Sequence, residues 1–179
     1  VFMEYSQPEI WSSTFLINAS QRGYGIWSQI SPPADISHNL IQVISKNYAN
    51  GGFFLTSSPN FVYNTVILQS DSAFSEGLHL LQYSNPRISN CIFEGNDPNS
   101  VGVYSELGSV PTITYNDFFN LIPTSSDTLT GLGNISENPQ FVDPLAGDFH
   151  LEAHSPCRDS GDPESPLDPD TTRADMGCF

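Results

Sequence analysis

The sequence predicts an all-β solenoid: a chain wound into stacked coils whose strands pair in parallel, with an irregular capping segment at its C-terminal end. Three observations predict it. Apolar residues fall into columns at a period of about 26, with Phe15, Ile41, Ile67, Phe93 and Phe119 in one and Ile10, Ile36, Val62 and Ile88 in another. A further column holds Asn64, Asn90 and Asn116, and a glycine column, allowing slips of one or two residues, holds Gly25, Gly52, Gly77 and Gly102, each followed by an apolar residue. Between the short apolar runs lie Gly, Pro, Asn and Ser, the punctuation of many short strands rather than of helices. Self-similarity at roughly twenty to fifty residues marks a solenoid. About five rungs cover residues 1–120, and residues 121–179 form a C-terminal rung and cap of the same domain.

Taken in order, residues 1–7 read as the tail of a preceding rung, because Pro8 opens the first full copy, Glu9-Ile10-Trp11-Ser12, with no capping element before it. The start Val-Phe-Met-Glu shows neither an initiator methionine nor a signal peptide, so a processed or cut chain is expected. An uncapped first rung presents strand edges at which copies of the chain can associate. Apolar residues then alternate, as in Val62, Asn64 and Val66 and again in Ile88, Asn90 and Ile92; a period of two means strand. A second strand in each rung follows the glycine: Gly25-Ile26-Trp27-Ser28, Gly52-Phe53-Phe54-Leu55, Gly77-Leu78-His79-Leu80 and Gly102-Val103-Tyr104-Ser105. Alternation sends Ile26, Phe53, Leu78 and Val103 inward and leaves Trp27, Phe54, His79 and Tyr104 pointing out. Loops of differing composition (residues 18–24, 45–50, 69–76 and 94–100) are expected to project from one side. Beyond Asn120 the period fails.

Charge narrows the partners. Twenty acidic residues stand against five basic ones in 179, a net charge of −15, so nucleic acid and anionic membranes are poor partners. No run of about eighteen apolar residues exists, so membrane insertion is not expected.

The rungs resemble those of right-handed parallel β-helices of the pectate-lyase type, with the Ile-Ser-Asn-Cys-Ile-Phe form at residues 88–93. The tail motifs are Asn138-Pro139-Gln140-Phe141-Val142-Asp143-Pro144, Gly147-Asp148-Phe149-His150-Leu151, Ser155-Pro156-Cys157-Arg158-Asp159-Ser160-Gly161-Asp162-Pro163 and Asp175-Met176-Gly177. They resemble the end segment of secreted bacterial β-helix surface proteins of the choice-of-anchor type. The resemblance implies a right-handed β-helix and an extracellular or cell-surface location. It implies no single activity, since such folds host lyases, adhesins and other roles.

The outward column Trp27, Phe54, His79 and Tyr104 is the sharpest functional feature. Repeated flat faces on a rigid sheet suit stacking on sugar rings or contact with a protein partner, and they equally suit an aromatic ladder that only steadies neighbouring rungs. The asparagine column reads as an internal amide ladder, because buried amides need partners and stacked copies supply them. Glu9 and Asp35, equivalent in neighbouring rungs, are compatible with the carboxylate pair of a glycosidase, and Arg22, Lys46 and Arg87, the last with Glu94 and Glu106, with the basic residue of a lyase, while a solvated acidic face predicts the same residues. An anionic chain repels a polyanion, which weighs against the lyase. Among His38, His79, His150 and His154 one pair, His150 and His154, stands four apart, but the flanking Gly-Asp-Phe-His-Leu-Glu reads as strand rather than helix, so zinc is not expected. Asp168, Asp170 and Asp175 are calcium candidates and also ordinary turn residues. Cys157 and Cys178 are a disulfide candidate, against the alternative that all three cysteines are reduced. Three functions stay open: a non-catalytic extracellular module contacting glycan or protein, the C-terminal part of a polysaccharide lyase or glycoside hydrolase, and a structural subunit stacking into fibres. No obligatory cofactor is expected.

Overall fold

The computed structural model describes residues 1–4, 9–71, 74–125 and 131–179. Strands recur in threes. In chain order they are β1 (Phe2–Glu4), β2 (Glu9–Trp11) and β3 (Thr14–Ala19), then β4 (Arg22–Gln29), β5 (Asp35–Ser37) and β6 (Leu40–Ser45). The next coils supply β7 (Tyr48–Leu55), β8 (Asn60–Val62) and β9 (Thr65–Ser70), then β10 (Glu76–Leu81), β11 (Arg87–Ser89) and β12 (Ile92–Gly95). After β13 (Val101–Ser105), β14 (Thr112–Thr114) and β15 (Asp117–Phe119) comes β16 (Ile122–Thr124), and a hairpin of β17 (Phe141–Asp143) and β18 (Asp148–Leu151) ends the series. Three parallel sheets result. The first runs β1-β4-β7-β10-β13-β16, the second β14-β11-β8-β5-β2 and the third β15-β12-β9-β6-β3, while β17 and β18 pair antiparallel. Among the described residues no helix is long and apolar enough to cross a membrane.

The corner between the second and third sheets is built the same way in every coil. Ser12, His38, Tyr63, Asn90 and Tyr115 each take a left-handed backbone, with φ between 46° and 56°. A single left-handed residue reverses the pleat without lengthening the chain, so the inward residues flanking it, Ile10 and Phe15, Ile36 and Ile41, Phe61 and Val66, Ile88 and Phe93, always stand five apart. The next residue carries a ladder of side chains up the inside. Ser13 N donates to Asn39 Oδ1, Asn39 N to Asn64 Oδ1, Asn64 N to Cys91 Sγ, Cys91 N to Asn116 Oδ1 and Asn116 N to Asn134 Oδ1, at 2.9–3.4 Å. Each amide also donates to a carbonyl of the preceding coil, as Asn64 Nδ2 does to Ile36 O at 2.8 Å, which satisfies groups that no water reaches.

The amide ladder therefore exists, with altered membership. Asn39 and Asn134 belong to it, Cys91 occupies one of its places, and Asn90 sits one residue earlier at the left-handed corner. The other sheet steps explain the shift. Register runs Ile10, Ile36, Phe61, Ile88, Ile113 in the second sheet and Phe15, Ile41, Val66, Phe93, Phe118 in the third, so successive steps are 26, 25, 27 and 25 residues in the second sheet rather than a constant 26. Val62, Ile67 and Phe119 consequently lie on outward columns, not on the core columns that a constant period gives them.

Size complementarity fills the interior. The glycines in register are Gly25, Gly51, Gly77 and Gly102, and a Cβ at each would lie 2.5–2.7 Å from Ile41, Val66, Phe93 and Phe118 of the facing sheet. Large side chains thus reach across to a backbone left bare. Phe93 and Phe118 stack with ring centroids 5.1 Å apart and an interplanar angle of 5°.

The tail lies along the flank of the coils. Phe141, Phe149, Cys157 and Met176 pack on Leu40, Ile67 and Ile92, the outward side chains of the third sheet. Asn90 fastens it: its Oδ1 accepts Asp162 N at 2.6 Å, its Nδ2 donates to Ser165 Oγ at 3.1 Å and its carbonyl accepts Gly177 N at 2.9 Å.

Candidate functional site

The outward face of the first sheet carries the densest chemistry. Register places Phe2, Trp27, Phe53, His79 and Tyr104 in one column. Phe53 takes the place that the sequence assigned to Phe54. The glycine equivalent to Gly25 is Gly51, not Gly52, and a one-residue slip turns every side chain to the opposite face. Phe54 is fully buried in the core, 6.0 Å from Phe61. Trp27, Phe53, His79 and Tyr104 are each half-buried, and their rings pass from neighbour to neighbour at centroid distances of 4.5, 5.0 and 5.0 Å.

A second aromatic file runs beside the first. Tyr24 lies 5.7 Å from Trp27 and 5.9 Å from Tyr48, and Tyr48 stacks on Phe74 at 6.2 Å. Between the files is a groove of about 500 Å³ lined by Arg22, Tyr24, Asn47, Tyr48, Phe53, Phe74 and His79. Its walls come from β4, β7 and β10 and from Asn47 and Phe74 just before the last two strands.

Behind Tyr48 and His79, which line the groove, lies a polar cluster. Glu76 Oε2 accepts the Tyr48 hydroxyl, Asn50 Nδ2 at 3.4 Å and a contact of 2.8 Å to His79 Nδ1. His79 Nε2 lies 3.0 Å from Glu106 Oε1, so the imidazole bridges two carboxylates. Burial pulls the His79 pKa down, but hydrogen bonds and charge from Glu76 and then Glu106 outweigh it and leave the pKa above the ordinary histidine value. Tyr48 is pushed up by burial and by the adjacent Glu76 charge, which keeps its hydroxyl a donor. Trp27 Nε1 and Asn50 Oδ1, both buried, have no hydrogen-bond partner among the described residues.

Comparison with known proteins places this geometry. The model of the family described as "Right handed beta helix region" matches residues 12–137. The chain belongs to the right-handed β-helix family. No curated protein and no solved structure matches it.

Elsewhere on this β-helix the sequence candidates disperse. Glu9 and Asp35 are in register on the second sheet, beside the exposed Trp11, and Asp35 Oδ1 accepts Asn60 Nδ2 at 2.7 Å. Arg87 pairs with Asp162 of the tail at 3.2 Å, away from Glu94, which lies on the third sheet in register with Ile67 and Phe119. Lys46 lies with Asn18 and Asp71 on a separate surface hollow. His38 stacks on Tyr63 at 4.8 Å, and His150 stacks on Phe179 at 4.4 Å while contacting Asp148. Asp168, Asp170 and Asp175 accept backbone hydrogen bonds within the tail: Asp170 from Thr172 N in a local turn, Asp168 from Asp175 N and Asp175 from Asp159 N across longer separations. Cys157 and Cys178 are free thiols rather than partners in a bridge, and Cys157 Sγ instead donates to Asp117 Oδ2 at 3.3 Å. Burial pushes the Asp117 carboxyl up to about 7.

Sequence reasoning missed Tyr24, Tyr48, Phe74 and Glu76. Tyr24 and Tyr48 are not equivalent positions, Tyr24 standing opposite Asn50 and Tyr48 opposite Arg22, so no column of the repeat picks them out.

Proposed function

We propose that this β-helix is an extracellular or cell-surface module that holds a glycan in the aromatic groove of its first sheet. The observation that carries the reading is the pairing of two aromatic files around one concavity, with a small set of polar groups converging at its end. Flat apolar faces cover the faces of a pyranose ring, and the convergent polar atoms match its hydroxyls. Arg22, Asn47 and His79 line the same concavity, so stacking and hydrogen bonding fall on one ligand. A ladder serving only the fold needs no groove, and Phe74, which is 41% exposed, gains little from its position unless something covers it. The tail's likeness to anchor-type end segments agrees with a role outside the cell.

Titration with a panel of neutral and acidic oligosaccharides, followed by tryptophan fluorescence, tests the reading, because Trp27 touches both Tyr24 and Phe53. A saturating change is expected with at least one sugar, and Phe53→Ala should weaken it at least tenfold with the fold intact, the loss of one stacking contact of about 1.5 kcal/mol. No change with any sugar removes the reading. New reducing ends in the same mixtures would show cleavage in addition to binding.

A further inference from the structure

We propose that His79 and Glu106 form the hydroxyl-accepting end of the groove, that His79 Nε2 and the Glu106 oxygen it contacts are open to a ligand only while His79 is neutral, and that the ligand they select is an uncharged sugar. This rests on the glycan reading and specifies its ligand and its regulation.

Proton counting carries the inference. His79 Nδ1 is 2.8 Å from Glu76 Oε2, and Nε2 is 3.0 Å from Glu106 Oε1. With both nitrogens protonated, each N–H donates to a carboxylate and the ring keeps no donor for a ligand. Removing one proton leaves a lone pair facing a carboxylate oxygen, and that contact must open. The surroundings decide which. Glu76 is buried and also receives the Tyr48 hydroxyl and Asn50 Nδ2, whereas the Glu106 side chain is 41% exposed and has water to turn to. Nδ1–H therefore stays on Glu76, Nε2 becomes an acceptor, and Glu106 is released. Nε2 becomes a new acceptor on the imidazole, whose centroid is 5.0 Å from the Phe53 ring, and the Glu106 oxygen that it held is freed next to it. Hydroxyls of a sugar stacked on Phe53 are the donors that match them.

Charge selects among sugars. The groups around His79 are Arg22 and Tyr24 from β4, Tyr48 from β7, Glu76 on its own strand, and Tyr104 on β13 with Glu106 just after it. Once His79 is neutral, two carboxylates stand against one guanidinium on a chain of net charge −15, so a polyanion is repelled. The same carboxylates raise the His79 pKa, which places the transition above the ordinary value of 6.5.

The test compares the full chain with its Glu106→Gln variant by NMR of the histidine Cε1–H signals from about pH 5.5 to about pH 8.5. It is run beside calorimetric titration with uncharged cello-, xylo- and manno-oligosaccharides. Glu106→Gln should lower the His79 midpoint by about one pH unit, through loss of one adjacent charge. Affinity in the unaltered chain should rise about tenfold across the midpoint, the effect of one charge-assisted hydrogen bond, and Glu106→Gln should abolish most of that rise. Equal midpoints in the two proteins, or an affinity that is flat or falls with pH across the midpoint, overturns the proposal. If no uncharged sugar binds at any pH, the glycan reading and the ligand assignment fall together, and the midpoint comparison still decides the His79–Glu106 switch.

Discussion

Truncating Asn116 and truncating Asn90 separate the inner ladder from the tail latch. Asn116 is fully buried; its Oδ1 accepts Cys91 N at 2.9 Å, and its Nδ2 donates to Ile88 O at 3.1 Å, Thr114 O at 2.9 Å and Asn134 Oδ1 at 3.1 Å. Asn116→Ala strands the Cys91 N–H in the interior, at about 1–3 kcal/mol, and removes several further bonds worth about 1 kcal/mol each at most. A total of about 3–4 kcal/mol is expected, at the high end for one substitution. Asn90→Ala breaks the bonds to Asp162 N and Ser165 Oγ, but both groups border solvent and can turn to water. Alanine at φ 56° adds about 1 kcal/mol of backbone strain, for roughly 2 kcal/mol in all. Urea unfolding measures the totals, and hydrogen exchange locates them. Asn90→Ala should speed exchange in residues 139–179 before the coils, and Asn90→Gly should do the same with less loss of global stability. Asn116→Ala should lower protection across neighbouring coils. Equal costs for the two alanine variants, or a cost below about 1 kcal/mol for Asn116→Ala, would refute the assignment of only one of them to the ladder.

Three further outcomes are expected. Gly77→Ala would place a Cβ 2.3 Å from Gly102 O and 2.7 Å from the Phe93 ring, so it should destabilise by about 3 kcal/mol or block folding, measured as urea midpoint and soluble yield. Phe54→Ala should cost about 3–5 kcal/mol by cavity formation in the same measurement, while Phe53→Ala should cost less than half of that. Asp117, raised by burial to about 7 in the fold against about 3.9 in the unfolded chain, favours folding most below pH 4, and this contribution is lost as pH rises through about 7. Asp117→Asn should therefore flatten the fall in stability between those pH values by a few kcal/mol, read as thermal midpoint against pH.

Composition and periodicity by themselves determined that strands would stack in parallel coils, because every coil must return its apolar side chains to a shared interior. They also placed Trp27, His79 and Tyr104 on one outward column. The misplaced residues, Phe54, Val62, Ile67, Asn90 and Phe119, share one physical cause. The connections between sheets absorb a residue more or less at little cost, and a strand registers each such change as a reversal of face. Only the left-handed corner keeps a fixed length, and its five-residue spacing is a better ruler than the overall period. The tertiary structure alone decided the rest. Glu76, His79 and Glu106 meet through two contacts, one along β10 and one to the next coil, Tyr24, Tyr48 and Phe74 line one groove because stacked coils bring β4, β7 and the approach to β10 side by side, and Asn90 meets Asp162 across 72 residues because the tail folds back along the coils. Contacts of that kind depend on register and on non-local packing, which a single chain's pattern of residue types does not carry.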